Sequence, residues 1–142
     1  MMANRFNFRA YIKPYNKIYK VHSIEMSGNF FAIECFQEDG ETLLKRNDNE
    51  TNLFLLKQGE FNLMQSTGLV DKNGKEIFEG DIVNITKGFD NFMDEVFYDE
   101  ELCSIRLKGY SNDYCDFADW IREGFEFEVI GNIYENPELL KS

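Results

Sequence analysis

A chain of 142 residues can hold one domain or two small subdomains sharing a core, and 14 Phe, 7 Tyr and one Trp beside only two prolines favour packed β structure over disorder. Cys35, Cys103 and Cys115 are odd in number and widely spaced, and His22 is the only histidine, so a disulfide framework and a Cys/His zinc site are set aside in favour of buried thiols. No apolar run reaches the length of a membrane span and Met1-Met2-Ala3-Asn4-Arg5 leads into no signal core, so the expected location is the cytoplasm.

Phe6, Phe8 and Ala10 alternate with Asn7 and Arg9, which predicts a first strand with one apolar face. Lys13-Pro14-Tyr15-Asn16-Lys17 supplies a turn. A second strand is expected from Ile18 to Met26 and a third from Phe30 to Phe36, with Ser27-Gly28-Asn29 as the hairpin loop between them. Gln37 to Asn52 reads as polar loop, with a short strand at Thr42–Leu44. Phe54 to Met64 predicts one further strand, interrupted at Gly59.

Asp71-Lys72-Asn73-Gly74 is the strongest hairpin signal, because Asn-Gly suits the two positive-φ positions of a type I′ turn. Glu79-Gly80-Asp81 makes a second sharp turn into a strand over Ile82–Thr86, and Gly88 to Asp94 reads as loop. Glu95–Tyr98 and Leu102–Leu107 form a hairpin around the acidic turn Asp99-Glu100-Glu101. One helix is expected, capped by Asp113, with Phe117, Trp120 and Ile121 on one face and Gly124 at its end; the alternative is an irregular aromatic loop. Phe127, Val129, Gly131 and Ile133 alternate as a last strand, and Pro137 opens a terminal turn of helix over Glu138–Lys141. Turn or structural roles fall to Gly68, Asp71, Asn73, Gly74, Gly80, Asp81, Gly131 and Asn132.

Charge is unevenly divided. Residues 1–62 hold eight basic and eight acidic residues, whereas 63–142 hold seven basic and eighteen acidic, so the net −11 lies wholly in the second part. Twelve of those acids fall within 90–128, against Arg106, Lys108 and Arg122. Such a field repels phosphate backbones and favours basic partners.

Three segments carry a family resemblance: Asn4-Arg5-Phe6-Asn7-Phe8-Arg9-Ala10, the block LMQSTGLVDKNGKEIFEGDIV at 63–83, and EVIGNIYENPELL at 128–140. With them the chain resembles the YopX family of phage and prophage proteins, except over about 84–127, where the acidic excess lies. The resemblance implies a mostly β fold, a phage origin, a bacterial host cytoplasm and a tendency to self-associate, but no activity. Separately, Glu79-Gly80-Asp81-Ile82-Val83-Asn84-Ile85 looks like the opening of SH3-like barrels, where glycine bends the chain and the aspartate accepts backbone N–H groups. The fold class expected is mostly β with minor α: an N-terminal strand-rich subdomain at 1–60 and a C-terminal SH3-like small barrel at 61–142, closely packed or merged into one domain.

Catalytic chemistry finds little footing. Asp71, Glu79 and Asp81 sit at turns, where carboxylates cap backbone groups, and no GxSxG, GxGxxG or phosphate loop occurs. With one histidine, a Cys–His dyad has no supporting spacing. Asp90, Asp94, Glu95 and Asp99-Glu100-Glu101 do not follow a calcium-loop pattern. No enzyme activity and no cofactor are expected.

Ten aromatics between Phe89 and Glu128 are interleaved with the acids, which suits a surface for a basic protein partner, against the plainer reading that the rings are core and the acids solvated. Candidate partner-binding residues are Asp90, Asp94, Glu95, Asp99, Glu100, Glu101, Tyr110, Tyr114 and Trp120. The leading expectation is a non-enzymatic phage accessory protein that binds a host or phage protein. The alternatives are a nucleic-acid-binding SH3-like module using Arg5, Arg9, Lys13, Lys17 and Lys20, and a homo-oligomeric structural protein.

Overall fold

Period-two alternation near the N-terminus becomes a run of antiparallel strands. The structure, a computed structural model, describes residues 7–36, 51–110 and 116–141. The fold is mostly β, with two antiparallel sheets and one short α-helix among the described residues. These residues divide into two compact units, Asn7–Met64 and those from Gln65 onward. Phe6 and the strand expected at 42–44 lie outside the described residues. No helix among the described residues is long and apolar enough to cross a membrane.

In the first unit, β1 (Phe8–Ile12), β2 (Lys17–Ser27), β3 (Phe30–Phe36) and β4 (Thr51–Lys57) stand in the order β4-β3-β2-β1, and the start of β5 (Phe61–Val70) follows β1. Gly28, at φ 61°, turns the β2–β3 hairpin. Asn16 closes the Lys13–Tyr15 turn in the left-handed region, which asparagine tolerates, and its Oδ1 accepts the Tyr11 hydroxyl. Ala10, Ile12, Tyr19, Ile33, Cys35, Phe54 and Leu56 form the core. Burial, with the neighbouring Glu34 charge, pushes the Cys35 thiol up to about 12.

The single strand expected over Phe54–Met64 is instead two strands joined by a tight turn, β4 beside β3 and β5 beside β1. β4 ends at Lys57, Gly59 turns the chain at φ 93°, and Glu60 Oε1 accepts the Lys57 N–H at 2.8 Å. Thr51 and Asn52, expected in a loop, already belong to β4.

In the second unit, β5 pairs with β6 (Glu76–Phe78) through Ser66↔Phe78 and Val70↔Glu76. β7 (Asp81–Lys87), β8 (Asp90–Asp99), β9 (Ser104–Leu107) and β10 (Glu126–Asn132) build a four-stranded sheet in the order β10-β7-β8-β9. The loop expected at Gly88–Asp94 shrinks to a turn at Gly88, φ 59°, because Ile85↔Phe92 and Asn84↔Met93 continue the ladder almost to it. Leu102, expected in the next strand, lies in the β8–β9 turn. Ile77, Val83, Ile85, Val96, Leu107, Phe117 and Phe127 make the core of this unit.

Two further expectations are corrected in detail. The Asn73-Gly74 turn is not type I′: among described non-glycine residues only Asn16 and Cys103 have positive φ, so Gly74, at 82°, is the one left-handed position. Gly74 N–H donates to Asp71 O at 3.0 Å, which makes a three-residue loop with glycine in the left-handed place. Helix α1 (Phe117–Arg122) is capped by Asp116 in place of Asp113, which lies outside the described residues. Asp116 and Asp119 cap each other's backbone N–H groups at 3.0 and 2.9 Å, a capping box that places the helix start three residues later.

Candidate functional site: an acidic hairpin and its cleft

The eight candidate partner-binding residues that the structure describes do not form one surface. Asp90 begins β8 and Asp99 ends it, a separation of about 30 Å at roughly 3.4 Å per strand residue. Asp94 is buried, and its carboxylate accepts Glu95 N–H at 2.8 Å and Gly109 N–H at 2.9 Å. A Cβ on Gly109 would lie 2.8 Å from Asp94 Oδ2, so this contact depends on glycine. Glu95 is half-buried; burial raises its carboxyl, with Lys108 opposing and Asp94 adding.

Asp99 organises the β8–β9 turn. Its Oδ1 accepts N–H groups from Glu101 and Leu102 at 3.0 and 3.3 Å, while Oδ2 lies 3.5 Å from Nε of Arg106. Arg106 is 2% exposed and also donates to Tyr110 O at 3.4 Å, so a buried cation anchors the turn. Glu100, Glu101 and Leu102 are exposed on it, and Tyr98 on β8 is exposed beside them. Cys103, exposed and at φ 51°, completes the turn with its thiol directed to Glu100 O at 3.5 Å.

Tyr110 and Trp120 belong to a ring cluster. Their centroids lie 5.0 Å apart, and Trp120 meets Phe125 at 5.1 Å and Phe92 at 6.0 Å. Trp120 is half-buried, so this cluster is mainly packing. Tyr114 lies outside the described residues.

Beside the β8–β9 turn opens a cleft of about 380 Å³. One wall is Gln65, Ser66 and Thr67 of β5 with Glu79, and the other is Tyr98 with Cys103, Ser104 and Ile105. Glu79 Oε2 accepts the Gln65 N–H at 3.3 Å, and Glu79 N–H returns a bond to Gln65 O at 3.0 Å. Sequence reasoning places Glu79 only in a turn and gives no role to Arg106. An arginine between Ile105 and Leu107 in an acidic stretch is the signal that marks a buried ion pair.

The turn residues are tightly tied. Asp71 Oδ1 accepts N–H groups from Asn73 and Lys75 at 2.9 and 2.8 Å, and Oδ2 accepts that of Val129 at 2.9 Å. Burial acts to raise the Asp71 carboxyl, but these bonds and the Lys75 charge together hold it below the ordinary carboxylate range. Asp81 Oδ2 accepts the Phe78 N–H at 2.8 Å. Gly80, at φ 83°, donates to Val96 O and accepts from Ile133 N–H. Gly68, also at φ 83°, sits where the β5–β6 register shifts, and its N–H meets Ser66 Oγ at 3.1 Å. Asn132 Oδ1 accepts N–H groups of Tyr134 and Glu135, and a Cβ on Gly131 would lie 2.7 Å from Asn136 Oδ1.

Of the basic residues in the N-terminal unit, Arg9 Nε contacts Met64 Sδ at 3.4 Å and Lys17 lies over the Tyr19 ring, while Lys13 and Lys20 are exposed. Arg5 lies outside the described residues. Among the described residues no group of three or more His, Cys, Asp or Glu is placed to hold a metal ion.

The family model described as YopX protein matches residues 7–141. Among solved structures, the chain is similar to the crystal structure of protein EF1440 from Enterococcus faecalis at 25% identity and a TM-score of 0.58, covering 95% of this chain and 97% of that one. It is also similar to the crystal structure of protein yopX from Bacillus subtilis at 20% identity and a TM-score of 0.61, covering 97% and 100%. At that identity the second likeness concerns the fold alone. No curated protein matches the chain.

Proposed function

We infer, from the premise that this chain belongs to the YopX family, that it is a phage or prophage accessory protein acting without catalysis by binding a host or phage protein in the bacterial cytoplasm. The observation that carries this reading is the β8–β9 turn, where exposed Glu100, Glu101 and Leu102 stand beside exposed Tyr98 on a turn fixed by Asp99 and the buried Arg106. A pre-ordered acidic tip with an aromatic neighbour suits a basic, partly apolar protein surface. The charge of −11 disfavours a nucleic acid in the same place.

Affinity capture of the tagged protein from nuclease-treated host lysate identifies the partner, and association kinetics with the purified partner test the tip. Reversal of both tip charges (Glu100→Lys with Glu101→Lys) is expected to slow association about tenfold at low salt and to change dissociation little. An unchanged association rate would remove the acidic tip from the reading.

A second reading, self-association, is favoured by the exposure of Phe30 and Leu55 on β3 and β4, with β4 the outer strand of its sheet among the described residues. Light scattering of the wild type and Leu55→Glu tests it. Loss of an oligomer in the variant supports this face, and a wild-type monomer at every concentration overturns the reading.

A further inference from the structure

We propose that the cleft beside the β8–β9 turn receives one arginine or lysine side chain from an extended segment of the basic partner, with Glu79 as its counter-charge. The proposal rests on the reading of the acidic tip as the docking face. It adds what that face recognises.

The cleft's volume of about 380 Å³ lies in the range of sites that enclose a small group. Among the described residues, Glu79 is its only acidic lining residue and no Lys or Arg lines it. The Gln65 N–H fixes one Glu79 oxygen, which orients the carboxylate and occupies one of its roughly four acceptor positions. Tyr98, an aromatic residue, and Ser104, a hydroxyl-bearing one, also line the cleft. A guanidinium or ammonium is therefore met by a charge, a ring and an acceptor, the combination that favours a cation over a neutral chain. Thr67 is already committed, since its hydroxyl donates to Ile77 O and accepts the Leu69 N–H. Exposed Glu100 and Glu101 at the rim raise the local concentration of cations.

The test uses the full chain, ¹⁵N-labelled, and a capped pentapeptide with one arginine among glycines. Its citrulline counterpart keeps the shape and loses the charge. The arginine peptide is expected to shift the amide signals of Ser66, Thr67, Ser104 and Ile105, with citrulline about tenfold weaker. Glu79→Gln, which keeps an acceptor for Gln65, is expected to weaken the arginine peptide by about tenfold. Cys103→Lys, at an exposed position, places a cation at the mouth and is expected to abolish the shifts even if Glu79→Gln fails to fold. Equal response to citrulline, or no shift at the cleft amides, overturns the proposal. Shifts confined to residues 100–102 and insensitive to Glu79→Gln also overturn it, yet leave the tip reading standing. That reading falls separately, if partner association ignores reversal of Glu100 and Glu101.

Discussion

Asp71 shows how much one side chain holds here. Its carboxylate satisfies three backbone N–H groups, one of them 58 residues away at Val129. Its folded carboxyl lies below the usual value of 3.8, so the ionised form is the stabilising one. That contribution is complete above about pH 4 and is lost as pH falls through the lower, folded value. Asp71→Ala should therefore cost about 3 kcal/mol at neutral pH, since buried donors lose their partner, and the cost should shrink in acid. Urea denaturation of both proteins at pH 7 and pH 3 checks this; a cost independent of pH would contradict the assignment. Asp71 and Asp81 were legible as turn formers, because each carboxylate flanks a glycine turn and has a partner within four residues. Asp94 was not. Its partner, Gly109 N–H, is 15 residues away, so the sequence reads as surface charge what the fold buries.

At the scale of elements, α1 survives at six residues because both ends are closed. The capping box of Asp116 and Asp119 closes the start. At the other end Gly124 N–H meets Ile121 O and Phe125 N–H meets Trp120 O, a Schellman arrangement with the Phe125 and Trp120 rings in contact. Asp116→Ala should lower stability by about 1 kcal/mol. Gly124→Ala, at φ 94°, should also cost about 1 kcal/mol, by strain in the left-handed region. Thermal melts of both variants decide. If neither variant moves the midpoint, the helix contributes little to its unit. The Phe117, Trp120 and Ile121 spacing and Gly124 revealed this helix, but two aspartates three residues apart are both good caps. Which one serves depends on Phe117 packing against Phe127 at 4.4 Å, a contact across ten residues. The β7–β8 hairpin was hidden for a related reason: exposed Asp90, Asn91 and Met93 give its first half no clear alternation.

For the molecule as a whole, charge is the main lever. The net −11 lies entirely in residues 63–142, where Lys72–Glu128, Asp99–Arg106 and Asp119–Arg122 are among the pairs of opposite charge. Self-repulsion at that density destabilises the compact state. Raising salt from about 0.01 M to about 0.15 M shortens the screening length from about 30 Å to about 8 Å and should raise the melting temperature by a few degrees. Calorimetry across that range checks it, and a falling midpoint would mean that the ion pairs outweigh the repulsion.

The pairing of β10 with β7 also has a consequence for synthesis. Strands β1 to β4 and the start of β5 are complete once residue 64 has left the ribosome, so the first unit can fold early. β7 gains its second neighbour only when Asn132 emerges, roughly 3 to 14 s later at about 5–20 residues per second. A nascent chain stalled at Arg122 would display the β7 edge, with Val83 and Ile85 uncovered on that side by Val129 and Phe127. An unpaired strand edge of this kind is open to pairing with other chains, so truncated copies that lack β10 are expected to aggregate or be degraded sooner than full-length ones.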